Sequence, residues 1–252
     1  MSKFNSEDFF LVTGANSGLG KVISSKILDE GGSVIGLGRN QLNFEKVKVE
    51  FNSLNFHYEL KDLLFEQDKL PEFVNFLVEK YCKLRGLVLS AGIQQTVPLG
   101  AINFDKAKEL FNINYFANLA LIKGFCKKKN NSGYGSSIVI LSSFTSLIGV
   151  PGLANYSASK AALNSLVKTL ATEIAKEGLR INSVLPGHII TDLLMNDKNL
   201  GESFIEKLKP KYPLGLGKPT DVASIVSFLL SDEARWITGA EFVIDGGASI
   251  CF

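Results

Sequence analysis

Phe9-Phe10-Leu11-Val12-Thr13-Gly14-Ala15-Asn16-Ser17-Gly18-Leu19-Gly20 runs from a short apolar strand straight into a glycine-rich turn. The stretch from Leu19 to Glu30 then reads as an amphipathic helix. Glycines in such a turn let the chain reverse sharply and let backbone N–H groups approach a pyrophosphate. That anion then sits at the positive end of the helix dipole. A glycine turn by itself also marks any tight strand–helix connection. Its position after the first strand of an alternating chain gives it weight. Gly14, Asn16, Ser17, Gly18, Leu19 and Gly20 are therefore candidate phosphate-binding positions.

The alternation extends outward from this turn. Apolar runs at Phe9–Thr13, Ser33–Leu37, Asn55–Leu60, Gly86–Ser90, Ser137–Leu141, Arg180–Leu185 and Glu241–Ile244 read as strands. Most are continuous rather than alternating, as expected of parallel strands covered on both faces. Amphipathic segments such as Glu72–Cys82, Phe104–Lys127, Ser157–Glu177 and Asp221–Leu230 lie between them. This order predicts an α/β Rossmann-type fold: a doubly wound parallel sheet of about seven strands with helices on both faces. No repeat, low-complexity tract or linker divides residues 1–252, so one domain is expected. The longest interval without a strand runs from Ile190 to Pro219, beyond the end of one strand. A substrate lid at about 190–215 is expected there, with a surface insertion as the alternative.

Composition narrows the function classes. The net charge is +2, with acids and bases evenly spread, which points to no nucleic acid and no anionic membrane surface. Residues 130–159 carry no charge, but Ser, Asn and Gly are frequent and Pro151 interrupts the stretch, so it is read as a buried strand and polar loop rather than a membrane span. Cys82, Cys126 and Cys251 are far apart and lack metal or CxxC spacing, which suits a reducing, cytoplasmic setting. The N-terminal residues lack the long apolar core of a signal peptide. The two histidines have no acidic or thiol cluster beside them, so no metal site is expected.

About twenty residues beyond the glycine turn, at the end of the second strand, an acid would bond a ribose 2′-hydroxyl and select NAD. This chain has Gly38-Arg39-Asn40 instead. An arginine holds a 2′-phosphate through bidentate, charge-assisted bonds, so NADP(H) is favoured over NAD(H); a solvated loop arginine is the alternative. Tyr156 and Lys160, four residues apart in Asn155-Tyr156-Ser157-Ala158-Ser159-Lys160, share one helical face. A free phenol with pKa about 10 is a poor acid–base group near neutrality, and an adjacent ammonium stabilises its phenolate. The same spacing also occurs on ordinary helix surfaces, and context decides between the two.

That context is a resemblance. From Phe10 to Gly247 the chain resembles the short-chain dehydrogenase/reductase family, in its single-domain branch of about this length. TGANSGLG matches the family's cofactor turn and Tyr156 to Lys160 its YxxxK signature. Ser143, thirteen residues before the tyrosine, matches the catalytic serine. Asn114, in FNINYFANL, matches the asparagine that kinks the preceding helix and completes a tetrad. Leu185-Pro186-Gly187, followed by Ile189 and Thr191, matches a segment that holds the nicotinamide carboxamide. Ile237-Thr238-Gly239 and Asp245-Gly246-Gly247 match the closing strand. Asp62, with Leu63 beside it, falls where the family contacts the adenine; a loop or capping role is the alternative. One departure is visible. The family's NNAG segment reads Leu89-Ser90-Ala91-Gly92 here, which puts the bracing of the central sheet in question while leaving Ser90, Ala91 and Gly92 as candidate ribose neighbours.

The resemblance implies hydride transfer between nicotinamide and a ketone, aldehyde or alcohol, a small-molecule substrate. Tyr156 would act as general acid/base, Ser143 would orient the substrate oxygen, Lys160 would lower the tyrosine pKa and bind ribose, and Asn114 would hold a relaying water. By the same resemblance Ser143, Gln94, Phe144, Leu153 and His188 line the substrate pocket. A 3-oxoacyl-acyl-carrier-protein reductase is the specific alternative, although Glu177 stands where that subgroup often has an arginine and would repel an acidic carrier. Lys127–Lys129 could compensate. A cofactor-binding regulator without turnover is the alternative from a different class. The helices at Phe104–Lys127 and Ser157–Glu177 resemble those that family members pair into dimers and tetramers, so a homodimer or homotetramer is expected.

Overall fold

The computed structural model describes residues 2–190, 206 and 208–251. Its strands are β1 (Phe9–Thr13), β2 (Ser33–Gly38), β3 (Phe56–Leu60), β4 (Leu84–Leu89), β5 (Ser137–Leu141), β6 (Arg180–Pro186) and β7 (Glu241–Ile244). They form one sheet in the order β3-β2-β1-β4-β5-β6-β7, and every pairing is parallel. Seven strands in a doubly wound Rossmann-type sheet agree with the sequence reading. The strand ends differ from it by at most two residues, β4 starting at Leu84 rather than Gly86.

Period-two alternation sends each strand's side chains to opposite layers. From β1, Phe10 and Val12 join one core and Leu11 the other. From β5, Val139 and Leu141 face the first and Ile138 and Ile140 the second. The first core is closed by α1 (Gly18–Asp29), α2 (Gln41–Phe51) and α7 (Pro219–Leu230). The second is closed by α3 (Leu70–Lys80), α5 (Ala117–Phe125) and α6 (Ala154–Ile174). Each fully buried Leu, Ile, Val or Phe contributes roughly 1.5–3 kcal/mol, so both faces of the sheet are strongly held. The strand order reverses between β1 and β4, and a crevice opens at their carboxyl ends.

Two helical segments differ from expectation. Helix α2 carries little apolar periodicity, since only Phe44 and Val47 are buried. It is set instead by its cap, where the Asn40 side chain accepts the Asn43 N–H at 3.0 Å, and by Phe44 stacked on Tyr58 at 4.7 Å. The single helix expected over Phe104–Lys127 is α4 (Phe104–Phe111) and α5 joined by a π-helical turn, Asn112–Phe116. The wider turn frees a backbone carbonyl, and Asn118 Nδ2 donates to the Asn114 carbonyl at 2.7 Å. Of the lid interval, 191–205 and 207 lie outside the described residues. Both ends of the interval are anchored: Ile190 N donates to the Gly217 carbonyl, and Leu214 N to that of Gly246.

Candidate active site

The glycine turn opens a cleft of about 490 Å³, lined by Gly14, residues 16–20, Arg39, Asn40, Asp62, Leu63 and residues 90–92 among others. Two glycines do different work there. Gly18 has φ +51°, and a Cβ on it would meet no protein atom within 4 Å, so its methyl-sized space belongs to the cleft. Gly20 faces inward, where a Cβ would lie 2.6 Å from Ser90 Oγ and collide with the Gly14 carbonyl. The first strand and helix can approach only through a glycine at position 20. A phosphate cradle of backbone N–H groups at the start of a twelve-residue helix is what a dinucleotide requires, so these residues fit the expected cofactor.

Ser90, the departure from the family pattern, is satisfied. Its Oγ donates to the Thr13 carbonyl at 2.6 Å, while Thr13 Oγ1 accepts the N–H groups of Ser90 (3.0 Å) and Ala91 (2.9 Å). The β1 and β4 ends are thus laced together by two short hydroxyl side chains. Thr13, buried and central to this lacing, carried no sequence signal beyond its place before the glycine.

At the far end of the cleft Arg39 is two-thirds exposed, and its Nη1 lies 3.8 Å from Asp62 Oδ2. Asp62 Oδ1 accepts the Leu64 N–H at 2.9 Å, so one carboxylate oxygen anchors its loop and the other faces Arg39. The loop role given as the alternative for Asp62 describes these contacts. A surface pair of this kind is worth about 0–1 kcal/mol, and an incoming phosphate can displace it at little cost.

Asn114, Ser143, Tyr156 and Lys160 converge beyond the carboxyl ends of β4 and β5. Asn114 is fully buried in the π-turn. Its Oδ1 accepts the Ile93 N–H at 2.9 Å, and its Nδ2 donates to the Ile93 carbonyl (2.9 Å) and to Ser159 Oγ (3.1 Å). Ser159 in turn donates to the Tyr156 carbonyl at 2.7 Å, tying the π-turn to the first turn of α6. Neither Ser159 nor Asn118 was singled out from sequence, because each acts through a tertiary contact. Lys160 Nζ donates to the Leu141 carbonyl at 2.8 Å and lies 5.7 Å from the Tyr156 ring centre. Burial drives its ammonium down to about 8. Burial also raises the Tyr156 phenol above its ordinary value, with the Ser143 hydroxyl pulling partly the other way. Ser143 caps a 3₁₀ turn: its Oγ accepts from Thr145 N at 3.2 Å and pairs with Thr145 Oγ1 at 3.0 Å.

A second cleft of about 260 Å³, lined by Tyr156, adjoins the first at Leu19. Gln94, Ser143, Phe144, Leu153 and His188, the residues expected from sequence, all line it, together with Pro186, Gly187 and Ile189. Among the described residues, no side chain with a full charge lines it. Thr191 lies outside the described residues. Tyr212, not predicted individually, packs behind His188 with its hydroxyl on His188 N and Nδ1. No helix among the described residues is long and apolar enough to cross a membrane.

Comparisons with known proteins agree with this geometry. The family described as enoyl-(acyl carrier protein) reductase matches residues 14–249. A 3-oxoacyl-acyl-carrier-protein reductase of Rickettsia felis is 37% identical over 240 residues, covering 94% of this chain and 95% of the relative. A solved short-chain dehydrogenase/reductase of Brucella melitensis, titled glucose/ribitol dehydrogenase, superposes with TM-score 0.90 at 26% identity, over 98% of this chain and 99% of the other. A 4-hydroxyisoleucine dehydrogenase, solved with NADH, superposes with TM-score 0.88 at 29% identity, over 97% and 100%. The chain belongs to the short-chain dehydrogenase/reductase family, oxidoreductases that act on CH–OH and keto groups.

Proposed function

We propose that the chain is an NADP(H)-dependent oxidoreductase that interconverts a ketone or aldehyde with an alcohol, with Tyr156 as general acid/base. The observation that carries this reading is that Tyr156 lines the second cleft, which adjoins the glycine-turn cleft at Leu19, with the Ser143 hydroxyl bonded to its phenol and Lys160 Nζ 5.7 Å from its ring centre. The nicotinamide ring, when bound, supplies or accepts the hydride. In reduction, Tyr156 gives its proton to the oxygen that becomes the alcohol. Burial keeps the phenol protonated, so the acid form is in place before reaction. The Ser143 hydroxyl orients the same oxygen and favours the phenolate left behind. Lys160, held by the Leu141 carbonyl, stabilises that phenolate as an ammonium. Asn114 and Ser159 hold the first turn of α6 and so the position of both groups. In oxidation the proton moves the other way along the same atoms.

Arg39 supports the preference for NADP(H): it stands at the ribose end of the cleft, with only a weak exposed pair to give up. The 190–215 interval follows directly on His188 and Ile189, which line the substrate cleft, and we read it as the lid. Exposed Phe104 and Phe116, at the start of α4 and in the π-turn, and exposed Trp236 and Ile250 nearer the C-terminus, support a homodimer or homotetramer. Three unpaired cysteines suit the cytoplasm. A second reading, 3-oxoacyl-acyl-carrier-protein reductase, draws on the similarity to the Rickettsia felis enzyme of that name. Against it, Lys127 and Lys129 are already paired with Glu72 and Glu79, and Glu177 adds negative charge nearby.

The test is NADPH oxidation across a panel of carbonyl compounds, with Tyr156→Phe as control. The substitution is expected to lower kcat by about 10²–10⁴-fold while NADPH still binds. Activity that survives it would overturn the mechanism. Tight NADPH binding without turnover of any carbonyl or alcohol would favour a regulator.

A further inference from the structure

Ser143 stands just past β5 and leads into the 3₁₀ turn Phe144–Ser146, which engages both its carbonyl and its side chain. The carbonyl accepts the Ser146 N–H at 3.1 Å and the Ser146 hydroxyl at 2.6 Å. Ser146 Oγ accepts in turn from Asn164 Nδ2 at 2.9 Å, and Asn164 stands on α6, the helix of Tyr156. The turn is therefore pinned to the helix that carries the phenol. Within it Thr145, a buried residue on the lining of the substrate cleft, aims two donors at one atom. Its backbone N–H reaches Ser143 Oγ at 3.2 Å and its hydroxyl the same oxygen at 3.0 Å.

Counting donors and acceptors decides what is left to Ser143. A hydroxyl oxygen offers two lone pairs and one proton. The Thr145 N–H only donates, so it takes one lone pair. The two hydroxyls could pair in either sense. Were Ser143 the donor, the buried Thr145 O–H would have no acceptor among the described residues, at a cost of about 1–3 kcal/mol. With Thr145 as donor both groups are satisfied: the Ser143 oxygen is filled, and its proton goes to the Tyr156 oxygen, to which this hydroxyl is bonded. A proton donated there favours the phenolate, and the Ser143 hydroxyl does act in that direction, against burial. A donor backed by another donor is itself polarised and strengthened.

We propose that Thr145 is a positioning residue: by filling the acceptor side of Ser143 Oγ, it commits the Ser143 O–H to donate into the cleft, to the Tyr156 oxygen or to a substrate oxygen bound beside it. The proposal rests on the oxidoreductase reading of the cleft. Without the Thr145 hydroxyl, Ser143 Oγ regains a free lone pair and can accept the Tyr156 proton. It then stabilises the phenol instead of the phenolate, and it meets a substrate carbonyl oxygen lone pair to lone pair. The loss falls on negative charge that develops during proton transfer, so kcat carries it more than KM.

Thr145→Val keeps the branched shape and the backbone N–H and removes the hydroxyl; Thr145→Ser restores it. Thr145→Ala takes the place of the valine should that variant not fold. With NADPH and a ketone that wild type reduces, Thr145→Val is expected to lower kcat about 5–10-fold with KM changed less than about 3-fold. Thr145→Ser should stay within about 3-fold of wild type on both. For alcohol oxidation, the rise of kcat/KM with pH should move upward by about half a pH unit in Thr145→Val and not in Thr145→Ser. Lys160, 5.7 Å from the phenol ring, and His188, on the lining of the same cleft, are present in every variant, so the difference between variants reads the Thr145 hydroxyl. In a Ser143→Ala background, adding Thr145→Val should cost less than about 2-fold, because the group it acts through is gone. Equal losses in the valine and serine variants, or the full loss in the Ser143→Ala background, would mean that Thr145 merely packs the turn. A second reading needs no turnover. The ¹³Cζ signal of Tyr156, identified by its loss in Tyr156→Phe, follows the phenol through its titration. Thr145→Val is expected to raise the midpoint and Thr145→Ser to leave it in place. An unchanged midpoint in Thr145→Val overturns the proposal even if ketones are reduced. A raised midpoint in a protein that turns over no carbonyl or alcohol upholds the hydroxyl pair and sinks the oxidoreductase reading instead.

Discussion

The cleft beside the glycine turn and the cleft lined by Tyr156 and His188 meet at Leu19 but are made of different parts. The first presents backbone: a turn shaped by Gly14, Gly18 and Gly20, a helix N-terminus, and the strand ends laced by Thr13 and Ser90. The second presents side chains: Phe144, Leu153, Gln94 and an imidazole oriented by a tyrosine from a later loop. Backbone recognition suits a ligand that never changes, because it depends on chain path and tolerates few substitutions. Side-chain recognition suits a ligand that varies between relatives. That division fits a family whose members here carry names as different as acyl-carrier-protein reductase and hydroxyisoleucine dehydrogenase.

The contrast breaks most sharply at the glycines. Gly18→Ala puts a methyl into the cleft and an alanine at φ +51°, which costs about 1–2 kcal/mol of backbone strain. Its larger effect is expected on the cofactor, with NADPH affinity falling on the order of 100-fold, or roughly 2.7 kcal/mol. Gly20→Ala should reverse the emphasis. Its methyl collides with Ser90 Oγ and the Gly14 carbonyl, so the main loss is expected in stability, about 1–3 kcal/mol. Calorimetric unfolding beside cofactor titration separates the two. Equal stability losses with no difference in affinity would show that the turn is scaffold only.

Arg39 sharpens the comparison from within the cofactor cleft, as the side chain that discriminates there. Arg39→Ala is expected to weaken NADPH by about 10–100-fold and NADH by less than about 3-fold, since charge-assisted bonds to phosphate contribute roughly 1.5–3 kcal/mol. Fluorescence titration of both cofactors checks this. Equal weakening would remove the 2′-phosphate argument and leave Arg39 as the loop partner of Asp62.

The same division explains what could be read from sequence. The seven strands and the turn were legible because continuous apolar runs and a glycine pattern encode chain path locally. Tyr156, Lys160, Ser143 and Asn114 were legible only through their joint spacing in a resemblance, and the geometry then brings them together. Helix α2 was missed because Asn40 and Phe44 define it more than any periodicity. The break between α4 and α5 was legible only through the resemblance, as a kink at Asn114, and the contacts of Asn114 with Ile93, and of Asn118 with the freed carbonyl, give it the form of a π-turn. Tyr212 had no local signal, since its role exists only once the chain returns to the end of β6.

Ser90 tests whether the lacing of β1 to β4 matters beyond the ligand it faces. Sequence comparison raised a doubt at this position, because the family's asparagine is absent. The structure answers with a shorter side chain that reaches the same strand, donating to the Thr13 carbonyl at 2.6 Å. Ser90→Ala removes that donor while leaving the two N–H bonds to Thr13 Oγ1 intact. The expected loss is about 1 kcal/mol, which in a chain of this size lowers Tm by roughly 2–4 °C. Scanning calorimetry without cofactor reads it directly. An unchanged Tm would mean that Thr13 alone holds the strand ends, and that the serine owes its place to the cleft rather than to the sheet.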